Sequence, residues 1–261
     1  MRLTGLFVYP VKGLRGNGLQ ASDVESCGLA GDRRWMIVDR QGGFLTQRQL
    51  PAMARLDATL SGGTLTLGLG AARLQVSSGT GRTQVTVWRS RLEAALADPE
   101  ADRWLTSRLG VPCRLVFLDD PQARAVEPVH ARPGEHVSFA DGFPVLLTSS
   151  GSLAALNGAL EQRIGMERFR PNLVIDGSPA WAEHGWKLLR IGGTLLRCAK
   201  PCTRCVVTGI DQRSGETPCP GEPLRTLGRL NHRREGIVFG INLVPQEHGR
   251  LSLGDRVEVV A

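Results

Sequence analysis

A chain of 261 residues that is 41% hydrophobic and 22% charged carries enough apolar side chains for one large core or two smaller ones. No run of eighteen apolar residues occurs, which argues against a helical membrane span, and the opening MRLTGLFVYPVKGL is broken at Pro10 and Lys12 before it reaches signal-peptide form. The net charge of +7 comes from arginines scattered along the chain, with no basic block and no interleaved aromatics, so a small anionic ligand is expected rather than nucleic acid. A cytoplasmic protein with reduced cysteines is expected on the same grounds.

In chain order, the first ninety residues read as short strands parted by glycine-rich turns: LTGLFVYPV, RRWMIVDRQGGFLTQ, LDATLSGGTLTLGLG, ARLQVSS and TQVTVW. Asp39–Gly43, DRQGG, reads as a hairpin turn between two of them. Strands at this spacing without an intervening helix predict a barrel or sandwich. Helix signals follow at Asp98–Gly110, with Asp98 as cap, Pro99 at the first helical position, Leu105 and Leu109 four apart, and Gly110 as the stop. The proline-rich polar stretch Asp119–His136 reads as a connection, dividing the chain into 1–118 and 119–261.

Beyond it, FPVLLTSSGSLAALNGAL predicts a buried strand passing through a Ser/Gly turn into a short helix capped by Ser150 or Ser152. RPNLVIDG, WKLLRIGGTLLRCAK and CVVTGID predict strands, EPLRTLGRLNHRR a helix, and GIVFGINLVPQ and DRVEVV closing strands. The expected fold is mostly β with some α: a β-barrel-like amino-terminal domain and a larger β-barrel carboxy-terminal domain with short helices.

The chemistry concentrates in CAKPCTRCVVTGID, which holds three of the six cysteines. Cys198-x3-Cys202-x2-Cys205 has the spacing of the iron–sulfur loop of radical enzymes, but it lies late in the chain and between β runs. Structural zinc needs four ligands, and Cys219 offers a fourth without a CxxC partner of its own. A redox pair would open a helix, whereas Cys202-Thr-Arg-Cys205 runs into a predicted strand. Buried, inert thiols suit Cys27, Cys113 and Cys198. Cys205, with Lys200 and Arg204 near it in sequence, is the thiol suited to a soft metal.

KPCTRCVVTGID, with RFRPN upstream and YPVKG and GDRRWMIVD near the start, resembles the MOSC superfamily, in its two-domain branch with an amino-terminal MOSC-type β-barrel. The resemblance runs through nearly the whole chain. It implies a molybdenum-pyranopterin cofactor whose metal is ligated by Cys205, with Cys202 a bystander. It implies an oxidoreductase that removes oxygen from small N-hydroxylated compounds such as amidoximes, hydroxylamines and N-hydroxylated bases. The family label also carries pyridoxal phosphate binding. A sulfur carrier with a persulfide on Cys205, or a cofactor-delivery protein, is the alternative.

A pyranopterin ends in a phosphate, so cations and free N–H groups are required. RFRPN, read as a strand, puts Arg170 and Asn172 on one face, where the resemblance has both contacting the cofactor; Arg168 suits a solvated edge. Thr148, Ser149, Ser150 and Ser152 lie at the strand-to-helix turn, where hydroxyls and N–H groups suit an anion or simply cap the helix. By resemblance Ser149, Ser150 and Ser152 bind the cofactor, as do Thr203 and Arg204 beside the cysteine. The same resemblance places Lys12 and Arg33 near the phosphate, with Gly13 where relatives carry serine. Asp211 is read as ordering its loop, Asn242 as a polar residue without an assigned role, and His248 and His232 each as a surface histidine or a proton donor. No G-x-G-x-x-G follows a strand, and no ferredoxin-type cysteine set follows residue 219. A separate flavoprotein reductase or ferredoxin is therefore expected as electron donor to a monomeric enzyme.

Overall fold

The computed structural model describes the whole chain, Met1–Ala261. In the first segment the strands are β1 (Arg2–Val8), β2 (Ala21–Glu25), β3 (Trp35–Val38), β4 (Asp57–Ser61), β5 (Thr64–Leu69), β6 (Ala72–Val76), β7 (Ser78–Val87), β8 (Ser90–Ala97) and β9 (Arg114–Phe117). Helix α1 (Pro99–Leu109) precedes β9. The rest adds β10 (Val145–Ser149), α2 (Ser150–Asn157), β11 (Leu173–Asp176), β12 (Leu188–Ile191), β13 (Thr194–Thr203), α3 (Leu224–Leu230), β14 (Gly236–Pro245), β15 (Gly249–Ser252) and β16 (Val257–Val259). The mostly-β expectation holds.

The sheet that carries the site runs β16–β12–β13–β14–β10–β11–β1. Leu3 N donates to Asp255 O and Val257 N to Met1 O, each at 2.9 Å, joining the two edges of the curled sheet. β1 pairs antiparallel with β11, and β2 with β15, so both ends of the chain share sheets. In β1 the register slips between Leu3 and Gly5. A bulge of this kind resets the two-residue alternation and brings Leu6 to the same interior as Leu3. There they meet Leu147, Leu173, Ile175 and Leu243. Each such side chain contributes about 1.5–3 kcal/mol on burial, which fixes the face of every strand.

A second core lies between the sheet β3–β9–β8–β7, the meander β4–β5–β6 and α1, around Ile37, Met53, Leu67, Leu105 and Leu115. α1 forms as its residues predict: Asp98 accepts from Glu100 N, Pro99 opens the first turn, and Gly110 closes it at φ +71°. The DRQGG turn also forms, Asp39 N donating to Gly43 O at 2.8 Å.

Two predicted strands are corrected. CVVTGID is not a strand: Val206–Gly209 is a 3₁₀ turn. RFRPN is not a strand either: Met166–Phe169 is a 3₁₀ turn that ends with Arg170 at φ +53°. In both, a tertiary anchor overrules the local strand reading. Arg168 is buried, not a solvated edge, and its guanidinium donates to the Gly209 carbonyl at 2.7 Å, tying one turn to the other. The connection 119–136 has no helix or extended strand but is packed, with Arg124 buried against the Ser138, Ala140 and Asp141 carbonyls.

Candidate functional site

Three stretches far apart in sequence meet behind the end of β1. Tyr9 N donates to Asp32 Oδ1, Arg33 N to Tyr9 O, and Trp35 N to Pro10 O, so YPVKG lies alongside GDRR. Gly13 holds φ +85°, and a Cβ there would fall 2.7 Å from the Met53 methyl, which accounts for glycine at this place. Arg33 then reaches RFRPN, donating to Asn172 Oδ1 at 3.0 Å and to the Arg170 carbonyl at 3.2 Å. The Tyr9 ring carries two guanidinium groups, Arg33 at 4.3 Å and Arg170 at 4.4 Å from its centroid. Its hydroxyl donates to Pro171 O, and burial pushes its pKa up to about 12, so it stays neutral beside the cations. Arg33 and Arg170 both sit in the left-handed backbone region, at φ +48° and +53°. Each costs about 1–3 kcal/mol in a non-glycine residue, a cost typical of functional sites.

The charges here do not balance. Arg33 pairs with Asp32, and Lys12 with Asp141. Arg48, Arg170 and Arg204 appear in none of the twelve ion pairs of the chain. Arg170 is half-buried, and its one polar side-chain partner is Gln212 Oε1 at 3.0 Å. Burial, with the like charge of Arg33, pulls its pKa down to about 10. Arg204 donates to Phe169 O at 2.7 Å, while its buried Nε has no partner at all. Cations withdrawn from water without a counter-ion are costly unless an anion completes them.

Cys205 lies where β13 has ended. Its carbonyl accepts from Thr208 N at 3.1 Å and Thr208 Oγ1 at 2.9 Å, so the 3₁₀ turn locks the residue in place. The half-buried sulfur accepts from Arg48 Nη2 at 3.1 Å. Arg48 stacks on Trp88, 5.1 Å from the ring centroid, and Trp88 Nε1 donates to Asp141 at 3.2 Å. Trp88 occupies the tip of the β7–β8 hairpin at φ +55°. The amino-terminal segment thus delivers a cation to a thiol of the carboxy-terminal one. This corrects the cation expected at Cys205: Arg204 serves Cys202, whose sulfur it reaches at 3.0 Å, and Lys200 pairs with Glu127. Cys27, Cys113 and Cys198 are buried, and burial pushes the Cys198 thiol up to about 12, which leaves it inert. No three His, Cys, Asp or Glu side chains converge anywhere.

Several expected ligands have other partners. Ser149, not Ser150 or Ser152, caps α2, accepting from Gly151 N and Ser152 N and sharing a 2.9 Å bond with Ser178 Oγ. Ser152 is fully buried and donates to the Glu183 carboxylate at 2.8 Å. Asn172 is buried, with its amide given to Arg33, Leu146 N and Phe7 O. Ser149, Ser152 and Asn172 thus also support the frame of the site. Lys12 is buried against Asp141, its charge already answered. Ser150 is half-buried and Thr203 exposed at the end of β13. Asp211 orders its loop as expected, accepting from Arg213 N and Ser214 N. His232 and His248 are exposed and Asn242 is half-buried in β14.

Arg48, Trp88 and Gln212 carry no local signal and were not anticipated. Tyr9 had one: it is the single tyrosine of the chain, inside YPVKG. The residues present fit a metal cofactor with an acidic tail, because a thiol stands beside unpaired arginines and Arg204 Nε lacks a partner.

Residues 1–112 match the MOSC N-terminal beta barrel domain, and residues 134–258 match the MOSC domain. The chain is a MOSC protein. It is 30% identical to human mitochondrial amidoxime-reducing component 1 over 97% of this chain and 81% of that protein. It is 31% identical to the component of the same name from Xenopus laevis, over 97% of this chain and 80% of that one. A molybdenum cofactor sulfurase from Solanum lycopersicum is 29% identical over 92% of this chain, which spans 33% of that longer protein. The MOSC protein has no helix long and apolar enough to cross a membrane.

Proposed function

We propose that this MOSC protein is a molybdenum-cofactor-dependent reductase of N-hydroxylated compounds, working in the cytoplasm as a monomer with a separate flavoprotein or ferredoxin as electron donor. One observation carries the reading: a half-buried thiol, Cys205, stands against Arg48 beside a seam in which Arg170 and Arg204 lack any carboxylate. The names of the amidoxime-reducing relatives support it.

In this reading Cys205 is the metal ligand, and Arg170, Arg204 and Arg33 hold the acidic tail with Ser150 at its side. The cofactor supplies the two-electron chemistry when bound. In the reaction the N–O bond breaks, nitrogen gains two electrons from the donor, two protons enter, and oxygen leaves as water. Arg48 offers an N–H donor beside the ligating sulfur, and Trp88 restrains it there, so that a bound N–O group meets an oriented cation. The strained Arg33 and Arg170 are pre-set by the Tyr9 ring and backbone carbonyls, so little reorganisation is needed when the anion enters.

The test pairs Cys205→Ser with Cys202→Ser in protein made by a host that synthesises the cofactor. Cys205→Ser is expected to lose bound molybdenum and all turnover of benzamidoxime with reduced methyl viologen, since a serine oxygen is a harder and poorer ligand. Cys202→Ser is expected to retain most of both. The reverse ranking refutes the assignment. The sulfurase relative favours a second reading, a persulfide carrier on Cys205; cyanide-labile sulfur without molybdenum would establish that one instead.

A further inference from the structure

One carboxylate oxygen links the arginine seam to the thiol. Asp141 Oδ1 accepts from both Lys12 Nζ and Trp88 Nε1. Trp88 in turn supports Arg48, whose guanidinium lies 5.1 Å from the ring centroid, and Arg48 Nη2 stands 3.1 Å from the Cys205 sulfur. Contacts thus run unbroken from Lys12 through Asp141, Trp88 and Arg48 to Cys205. Exposure decides which link yields. The Lys12 side chain is 9% exposed and that of Asp141 72%, so the carboxylate regains water on leaving the pair while the ammonium does not. Charge decides what displaces it. Lys12, Arg33 and Arg170 all bear on Asp141, and Asp32 pairs with Arg33, which leaves one positive charge in excess for an incoming anion.

We propose that Asp141 is a latch that keeps Arg48 on the Cys205 sulfur until an anion takes Lys12, whereupon Trp88 and Arg48 shift together and free the thiol to ligate a metal. The same oxygen serves Lys12 and Trp88, so Asp141 gives up both at once. Trp88 then loses the acceptor of its only side-chain N–H, and its φ of +55° is one that a non-glycine residue holds only where contacts over-determine it. Arg48 stays stacked on the moving ring and so remains beside the sulfur without covering it. The inference rests on the reading of Cys205 as the metal ligand. It adds an order of events to that reading: the acidic end of the cofactor is bound first, and the thiol accepts the metal second. A chain that has not met the anion withholds its thiol from stray soft metal ions. Asp141 and Trp88 are positioning residues in this device.

The experiment uses the metal-free full chain, with inorganic phosphate as the anion and sodium chloride at matched ionic strength as the control. Cys205 is followed by its rate of alkylation with N-ethylmaleimide, read on its own peptide by mass spectrometry so that Cys202 is counted apart. Trp88 is followed by fluorine NMR of 5-fluorotryptophan protein, its line being the one absent from Trp88→Phe. Arg48→Ala gives the rate of the released thiol. A contact from a charged donor weights the held state about tenfold, so wild type and Arg48→Ala are expected to differ by about that factor. Phosphate is expected to move the wild-type rate at least about threefold toward that of Arg48→Ala, and to move the Trp88 line to its place in Asp141→Asn. In Asp141→Asn both start released, and phosphate moves neither. Trp88→Phe keeps the Lys12–Asp141 pair and cuts only the N–H link, so its Cys205 rate is expected not to answer phosphate. Equal rates in wild type and Arg48→Ala overturn the latch. So does a wild-type response that is absent, matched by chloride, or unchanged in Asp141→Asn and Trp88→Phe; each leaves the reductase reading standing. Molybdenum retained by Cys205→Ser overturns that reading instead, whatever phosphate does.

Discussion

Replacing Arg170 by methionine separates the cost of an unanswered cation from its use. In the ligand-free protein burial and the neighbouring Arg33 charge bring the Arg170 pKa from 12.5 to about 10. At about 1.4 kcal/mol per factor of ten, this is at most about 3 kcal/mol held against the charged form. The folded value is the lower one, so the cost is present at every pH below about 10 and is relieved only above it. Against it stand the bond to Gln212 and the contact with Tyr9, worth about 1.5–3 and 0.5–2 kcal/mol. These nearly cancel, so Arg170→Met is expected to leave the metal-free protein within about 1 kcal/mol of wild type in urea denaturation. The cofactor-loaded protein behaves differently, because a charge-assisted contact to phosphate is worth about 1.5–3 kcal/mol. Retention of molybdenum and pterin through serial dialysis is expected to fall about ten- to a hundredfold. Unchanged retention refutes the phosphate role; a loss above about 3 kcal/mol in the metal-free protein makes Arg170 a structural tie instead.

Three further outcomes are expected. Burial, helped by the charge of Arg233, brings the His184 pKa down from 6.5 to about 4, so stability is full above pH 6.5 and is lost as pH falls through about 4, by at most about 3 kcal/mol. Buried Glu183, whose pKa is raised, contributes the opposite slope, so the check is the difference in unfolding free energy between wild type and His184→Phe across pH 4–7; parallel curves refute it. Gly240→Ala is expected to cost on the order of 2–3 kcal/mol in urea denaturation, because φ is +75° and the new Cβ would lie 2.5 Å from the Leu147 carbonyl oxygen. Trp88→Gly relieves the strained φ of +55° but removes the ring under Arg48, so stability is expected to stay within about 1 kcal/mol of wild type while KM for benzamidoxime rises; an unchanged KM removes Trp88 as a positioning residue.

Much of the frame was legible in the residues themselves. Asp98, Pro99 and Gly110 delimit α1, DRQGG makes its turn, and the β-rich runs of both segments form strands, because caps, turn residues and short-range alternation act within a few residues of backbone. The three inert cysteines were legible as small hydrophobes for the same local reason. Tertiary packing decided the rest. RFRPN and CVVTGID predict strands locally, yet Met166–Phe169 and Val206–Gly209 are 3₁₀ turns, because Arg168 of one binds carbonyls of the other and so fixes both. The partners of Ser152 and Asn172, Glu183 and Arg33, come from 31 and 139 residues away. The cation at Cys205 comes from Arg48, 157 residues earlier, carried on a loop that Trp88 of the β7–β8 hairpin holds down. Residue type reports what a side chain prefers near its own backbone. Which charge meets which sulfur depends on how two separately built cores dock, and that is set by contacts no window of sequence contains.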